Sequence, residues 1–306
     1  MKAYRLSLAV IILLFCFGSG ISLCAGPAGS EQDSTVAKPA SWFAVKQVAE
    51  GVWRIDDHGG DNMYLVAGKE KALLIDAGTG VADLLACVKK ITSLPLLLVN
   101  THGHPDHCGS DYQFSQVYAH RADSGMIAGF CSEDFHKRMV QGAETQSPEL
   151  SSSFVRDAIV KMPRLLPIQE GFLFDLGERK LEVIEVPGHT KGSVCLLDAR
   201  NQLLFTGDND NTLVWLFLED CLPLDVYVKS LQNLKKRSGE FSTLLPGHGD
   251  PLDKKFIDDQ IMCGRQILSG ECKGEPYKTF VDYARVCKYR AASIAFNPDN
   301  LHAKGK

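Results

Sequence analysis

Three imidazoles and a carboxylate occupy the six positions His102-Gly103-His104-Pro105-Asp106-His107. The whole chain has nine histidines, and a solvated loop has no reason to gather a third of them. Imidazole nitrogen and carboxylate oxygen are the ligands zinc accepts in catalytic sites, where one position stays open for water. Alternation within a tight loop sends His102 and His104 toward one ion and Asp106 and His107 toward a neighbouring one. Gly103 lets the backbone bend there, and Pro105 restricts it.

Three further ligand types follow at the ends of apolar runs. His189 closes Val186-Pro187-Gly188-His189, Asp208 closes Phe205-Thr206-Gly207-Asp208, and His248 closes Leu245-Pro246-Gly247-His248. A glycine at one strand end is usually only a turn. Three such ends in series after a histidine cluster point to a shared metal site. Nothing in the sequence proposes a Ser–His–Asp relay, and Ser193 reads as structural.

This set resembles the metallo-β-lactamase fold superfamily over about residues 45–255. The motifs that carry the resemblance are Leu74-Ile75-Asp76-Ala77-Gly78, the HxHxDH box, Pro187-Gly188-His189-Thr190, Thr206-Gly207-Asp208 and Pro246-Gly247-His248. The resemblance implies an α/β fold, a four-layer αββα sandwich with its metals at one edge. It implies one ion held by His102, His104 and His189 and a second by Asp106, His107 and His248, with Asp208 bridging. Asp76 would orient the ligand loop, although helix N-cap is an equally simple reading of that residue. The implied chemistry is hydrolysis of an ester, thioester, lactone or phosphodiester by a metal-bridged hydroxide, with Asp208 and Asp106 as catalytic groups. Two Zn2+ are expected, and Mn2+ or Fe2+ also suit such ligands. A bridging aspartate at 208 turns the expectation away from antibiotic-degrading members, and histidine at 104 turns it away from the oxygen-reducing diiron branch. The alternatives are a mononuclear iron oxidoreductase acting on a persulfide and a non-catalytic binding protein on the same scaffold.

Residues beside the metals carry weaker signals. Leu213 to Leu218, with Trp215 and Phe217, reads either as an apolar substrate wall or as a core strand. His58 and Asn62 fall in a loop that could flank the cleft. His120, His136 and His302 read as ordinary surface or core histidines.

The elements that must position these residues alternate between strand and helix. Strands are expected at Val52–Ile55, Met63–Ala67, Lys71–Ile75 and Leu96–Asn100, with a helix over Val81–Ile91. Residues of about 120–165 read as a helical insertion, with helices near Ser132–Glu144 and Ser151–Met162 that could cover the metals. Strands return at Gly171–Asp175, Leu181–Val186, Ser193–Asp198, Leu203–Thr206 and Thr243–Leu245. Helices are expected at Asp225–Lys236 and Lys254–Leu268, and Val286 to Ala295 is apolar enough to pack back on the domain. Two strand-rich halves fit a two-sheet sandwich. Residues 41–306 are expected to form one hydrolase domain.

Lys2 and Arg5 precede an apolar run from Leu6 to Phe17 and a small-residue region, the order of a secretory signal. Residues 1–25 therefore read as an export signal or a membrane anchor, with Cys24 as a lipidation site in a third reading. Residues 26–40 read as a flexible linker. A periplasmic or secreted location follows, with membrane attachment only through this segment. Loss of the leader's two cations moves the net charge from −4 to −6, which gives no footing for a nucleic-acid partner and suits a small-molecule substrate. Of ten cysteines, Cys263, Cys272 and Cys287 are close enough in sequence to be disulfide candidates, and the irregular spacings disfavour a cysteine-only zinc site.

Overall fold

The computed structural model describes residues 41–146, 157–279 and 281–304. The expected signal or anchor and the linker lie outside them. A first sheet is laid down in sequence order by β1 (Phe43–Ala49), β2 (Val52–Asp57), β3 (Asn62–Ala67), β4 (Ala72–Ile75), β5 (Leu96–Val99), β6 (Gln116–His120) and β7 (Arg164–Ile168). It is antiparallel from β1 to β4 and parallel from β4 to β7. The parallel step from β4 to β5 requires a crossover, and helix α1 (Leu84–Ile91) supplies it. Its start is later than the apolar periodicity suggests, because Asp83 caps it by accepting a hydrogen bond from the Ala86 amide.

Beyond β5 come the short helix α2 (Pro105–Cys108), α3 (Ser124–Phe130) and α4 (Glu133–Gln146). The expected helix near Ser132–Glu144 is present as α4. Of the one expected at Ser151–Met162, residues 151–156 lie outside the described residues and 157–162 carry no helix. Phe135, Met139 and Ala143, one turn apart along α4, pack on Trp42, Val81 and Ala82.

The second sheet begins with β8 (Leu173–Asp175), β9 (Lys180–Glu185), β10 (Val194–Asp198) and β11 (Leu203–Gly207). β12 (Leu213–Leu216) then leaves for another sheet, and the chain returns through helix α5 (Leu224–Lys235) for β13 (Thr243–Pro246) and β14 (Leu252–Asp253). Period-two alternation fills three interior layers. Leu73 and Ile75 of β4 meet Val194 and Leu196 of β10 in the core between the sheets. Ala72 and Leu74 pack instead under Leu84 and Val88 of α1. Cys195 and Leu197 of β10 pack under Leu224, Val228 and Leu231 of α5 and under helix α6 (Phe256–Leu268). The order helix, sheet, sheet, helix is the expected αββα sandwich.

A third sheet was not anticipated. Its strands run in the order β12, β17 (Ala292–Phe296), β16 (Tyr283–Tyr289) and β15 (Glu275–Lys278). The apolar stretch from Val286 to Ala295 does pack back on the protein, as strands whose Cys287, Ile294 and Phe296 enter the core beneath α6. A disulfide joins Cys272 to Cys287, while Cys263 remains a buried thiol. No helix of the described residues is long and apolar enough to cross a membrane.

Candidate metal centre

Parallel strands β4 and β5 end side by side at Ile75 and Val99, and the chemistry-bearing residues begin where they stop. Asp76 adopts a left-handed backbone (φ 65°), a conformation that persists in a non-glycine residue only when its surroundings enforce it. Its carboxylate accepts hydrogen bonds from the Thr101 amide (2.7 Å) and hydroxyl (2.8 Å) and lies 3.0 Å from His107 Nδ1. That contact leaves His107 Nε2 free to face the cluster, and the helix that follows is capped by Asp83. Asp76 therefore orients the histidine loop and is not a helix cap. Asn100 completes the support by donating to the His107 carbonyl (2.9 Å) and to Asp111 (3.2 Å).

The seven residues expected from sequence come together in space. His104 Nδ1 lies 3.1 Å from His102 Nε2 and 2.9 Å from His189 Nε2. On the other side His248 Nε2 is 3.5 Å from Asp106 Oδ2, which is 3.8 Å from His107 Nε2. Asp208 stands between the two groups, with Oδ1 3.4 Å from His107 Nε2 and Oδ2 3.2 Å from His248 Nε2 and 3.5 Å from His189 Nε2. Donors on a tetrahedral zinc with bonds of 2.0–2.1 Å are separated by about 3.3 Å, and these separations scatter around that value. His102/His104/His189 and Asp106/His107/His248 each form a trio able to hold an ion, as does His102/His107/Asp208. Two buried atoms that face one another, His107 Nε2 and Asp208 Oδ1, have no hydrogen-bond partner among the described residues. A cation between them would satisfy both, so the residues present fit a metal.

Close approach explains two of the glycines. A Cβ at Gly247 would fall 2.5 Å from Asp208 Oδ1 and 2.7 Å from His107 Cε1, inside the cluster. Gly207 has φ 50°, and a Cβ there would meet Thr101 Oγ1 at 2.5 Å. The His248 loop is pinned from the first sheet. The Asn62 amide donates to Gly247 O (2.6 Å), the Asn62 side chain to Gly249 O (2.7 Å) and the Tyr64 hydroxyl to Pro246 O (2.8 Å). His248 Nδ1 in turn reaches Gly60 O at 2.7 Å. Asn62 is thus a buried clamp on the His248 loop, and His58 stacks on Trp42.

Charge sorts the histidines. Burial, reinforced by its neighbouring imidazoles, pushes His102 well below the usual histidine range, and burial with His104 lowers His189 to about 4. Both are held neutral, the form that binds metal. His107 is fully buried and His248 half-buried, yet Asp208 and Asp106 raise both well above the usual range. Asp208 resists its own burial and is held well below the carboxylate range by His248 and His107. A proton and a metal cation answer the same negative charge here.

Two supporting acids escaped the sequence reading. Asp220 Oδ2 lies 2.8 Å from His104 Nε2, the nitrogen turned away from the cluster. Asp123 accepts from the Gly103 amide (3.1 Å), the Thr190 hydroxyl (2.6 Å) and the Gly192 amide (2.8 Å), tying the HxH loop to the His189 loop. No motif spacing marks either residue, because each lies far along the chain from its partner. The backbone adds a third support, with His189 Nδ1 2.8 Å from Trp215 O.

Residues 56–248, the stretch that contains every one of these groups, match the family model described as the metallo-beta-lactamase superfamily. The chain belongs to the metallo-beta-lactamase superfamily. This superfamily member is 32% identical over 226 residues to the acyl-coenzyme A thioesterase MBLAC2 of Gallus gallus, covering 68% of this chain and 80% of that protein. It is 29% identical over 231 residues to acyl-coenzyme A thioesterase MBLAC2 of Homo sapiens, covering 68% and 81%. Among solved structures it resembles a metallo-beta-lactamase from Pontibacter korlensis, with a TM-score of 0.52 over 73% of this chain and 99% of that one. At 20% identity that likeness shows the fold alone. The metallo-beta-lactamase-fold chain is a metal-dependent hydrolase with a small-molecule substrate.

Proposed function

We propose that this protein is an exported dinuclear zinc thioesterase that hydrolyses an acyl thioester. His102, His104 and His189 would hold one ion and Asp106, His107 and His248 the other, with Asp208 placed between the two trios. The observation that carries the reading is the place of Asp208, within 3.5 Å of His107, His248 and His189, which belong to both trios. Five imidazoles among seven donors favour zinc over manganese or iron. The thioesterase names of the relatives favour a thioester over an ester, lactone or phosphodiester.

Two divalent cations supply carbonyl polarisation and water activation at neutral pH. The protein's own groups prepare that chemistry. Asp76, Asp220 and the Trp215 carbonyl fix three imidazoles in the orientation that aims their other nitrogen at the cluster. Asp106 and Asp208, both held anionic by the histidines around them, accept hydrogen bonds from the attacking water. The His248 side chain, 34% exposed, marks the open side through which a substrate carbonyl enters. The water oxygen adds to the carbonyl carbon as its proton passes to the Asp106 carboxylate, and the C–S bond then breaks. A thiol with a pKa of about 8.5 leaves readily as its thiolate, so no buried acid is required to protonate it.

Export rests on Lys2, Arg5 and the apolar run from Leu6 to Phe17, and residues 41–306 are the hydrolase unit so delivered. The mass of protein recovered after expression of the whole chain tests this, and retention of residues 1–25 in a cytosolic product argues against it. For the activity, zinc-loaded protein is assayed on a panel of an acyl thioester, an aryl ester, a lactone, a phosphodiester and a β-lactam. The thioester is expected to show the highest kcat/KM. An inert thioester beside a rapidly cleaved lactone or β-lactam overturns the reading.

A further inference from the structure

The turn between β2 and β3 carries an acid that neither the core nor the two metal trios account for. Asp61 is 2% exposed, and among the described residues neither of its carboxylate oxygens has a hydrogen-bond partner. A carboxylate buried in this way persists only where something opposes its charge. The turn itself uses Asp61 through its backbone alone. The Asp57 amide donates to the Asp61 carbonyl (2.9 Å), and the Gly60 amide donates to the Asp57 carbonyl (2.9 Å). Asp57, the other buried acid of the turn, is fully engaged. It accepts from Trp42 Nε1 and from the Thr79 amide (2.6 Å) and hydroxyl (2.8 Å), which ties the start of β1 to the loop after β4. One acid of the turn is satisfied, and the other is bare.

Both chain neighbours of Asp61 grip the loop that carries His248. The Gly60 carbonyl lies 2.7 Å from His248 Nδ1, and Asn62 donates to Gly247 O (2.6 Å) and Gly249 O (2.7 Å). Asp61 is therefore fixed against the trio Asp106, His107 and His248. Its electrostatic surroundings agree with that place. Burial and the Asp57 charge push its carboxyl well above the ordinary carboxylate range, Asp106 adds to the push, and His107 and His248 pull it back. The imidazoles of the trio take their orientation from other groups, His107 from Asp76 at 3.0 Å and His248 from the Gly60 carbonyl. What the Asp61 side chain has left to contribute is charge.

We propose that Asp61 is a further acid of the second metal site, a positioning residue whose buried negative charge strengthens the hold of Asp106, His107 and His248 on a divalent cation. The proposal rests on the dinuclear reading above. That trio brings one carboxylate of its own and a share in Asp208, which leaves a doubly charged ion incompletely neutralised. A carboxylate in the dry interior attracts such an ion without touching it, because little solvent lies between them to screen the charge. The first trio is all imidazole and has Asp220 behind His104. Each ion would then have its own outer acid, and the two act on separate sites. Asp61 and the ion also answer one another: the cation opposes the bare carboxylate, and the carboxylate raises the affinity for the cation.

The test is chelator competition for zinc on metal-free protein, with the melting temperature of the metal-free form measured beside it. Asp61→Asn keeps the size of the side chain and removes its charge. One of the two zinc affinities should fall roughly 10–100-fold while the other stays within about 2-fold. In His248→Ala, which already lacks a ligand of the second site, adding Asp61→Asn should change the affinity for the remaining zinc by less than about 2-fold. The metal-free Asp61→Asn protein should melt at or above the wild-type temperature, because a bare buried acid has gone. A residue that served only packing would lower that temperature and weaken both sites alike, and this result overturns the proposal. Asp61→Ser, small and neutral, takes the place of the asparagine variant if that one fails to fold. Two zinc affinities unchanged in the variant overturn the role of Asp61 and leave the dinuclear reading in place. A wild type that binds a single zinc overturns both.

Discussion

The carboxylate of Asp220 sits 2.8 Å from His104 Nε2, while His104 Nδ1 lies within 3.1 Å of two other imidazole nitrogens. One face of the ring is thereby anchored and the other aimed. Burial alone would lower the histidine's pKa, yet the Asp220 hydrogen bond raises it above the usual value, and Asp220 is itself lowered by the same contact. A carboxylate behind a ligating imidazole fixes its tautomer and increases its basicity, and loss of such a partner typically weakens metal affinity 10–100-fold. Asp220→Asn should therefore weaken one of two zinc sites by about that factor in a chelator competition. Two unaltered zinc affinities in the variant would assign Asp220 to packing alone.

Asp208 makes a different demand, because it belongs to both trios. Asp208→Ala should lower the zinc content from two per chain toward one and reduce kcat/KM by roughly 10²–10³-fold, the scale seen when a preorganised charge at a reacting centre is removed. Elemental analysis together with a rate measurement checks both. Retention of two zinc ions at full occupancy would show that it does not bridge.

Asp111 offers a test away from the ions. It is fully buried, its Oδ1 accepts from Asn100, and its Oδ2 has no partner among the described residues. Burial pushes its pKa well above the ordinary carboxylate value. The folded state then holds its proton more tightly than the unfolded state. As pH rises through about 3.8 the unfolded chain ionises first, and stability falls until the folded group also titrates. Asp111→Asn keeps the accepting oxygen and removes the ionisation. Its melting temperature should match the wild type near pH 4 and exceed it by roughly 3 °C or more at pH 7.5. A variant less stable at both pH values would mean that the carboxylate has a partner at neutral pH.

Local pattern made much of this legible in the sequence. The ligand set could be read because four members crowd into residues 102–107 and the other three each close an apolar strand with glycine beside them, and the αββα layers followed from the family resemblance those motifs carry. What escaped depends on long-range contact. β6 and β7 flank the expected helical insertion and were not expected as strands, since five-residue strands such as Gln116–His120 carry too little alternation to stand out. The third sheet pairs β12 with β17 across some eighty positions of chain, and no local period announces such a pairing. Asp123 and Asp220 are single acids whose meaning comes only from the loops folded against them. Asn62, read as a residue that could flank the cleft, proved to be the clamp on the His248 loop, because β3 of one sheet begins beside the end of β13 of the other.

The most direct test is a zinc titration of metal-free protein followed by acyl-coenzyme A hydrolysis, with the released thiol measured at each addition. A bridged dinuclear thioesterase gives no hydrolysis without metal, a rate that climbs with added zinc, and a break at two equivalents per chain. A break at one equivalent, or thioester cleavage that persists in the metal-free protein, would contradict it.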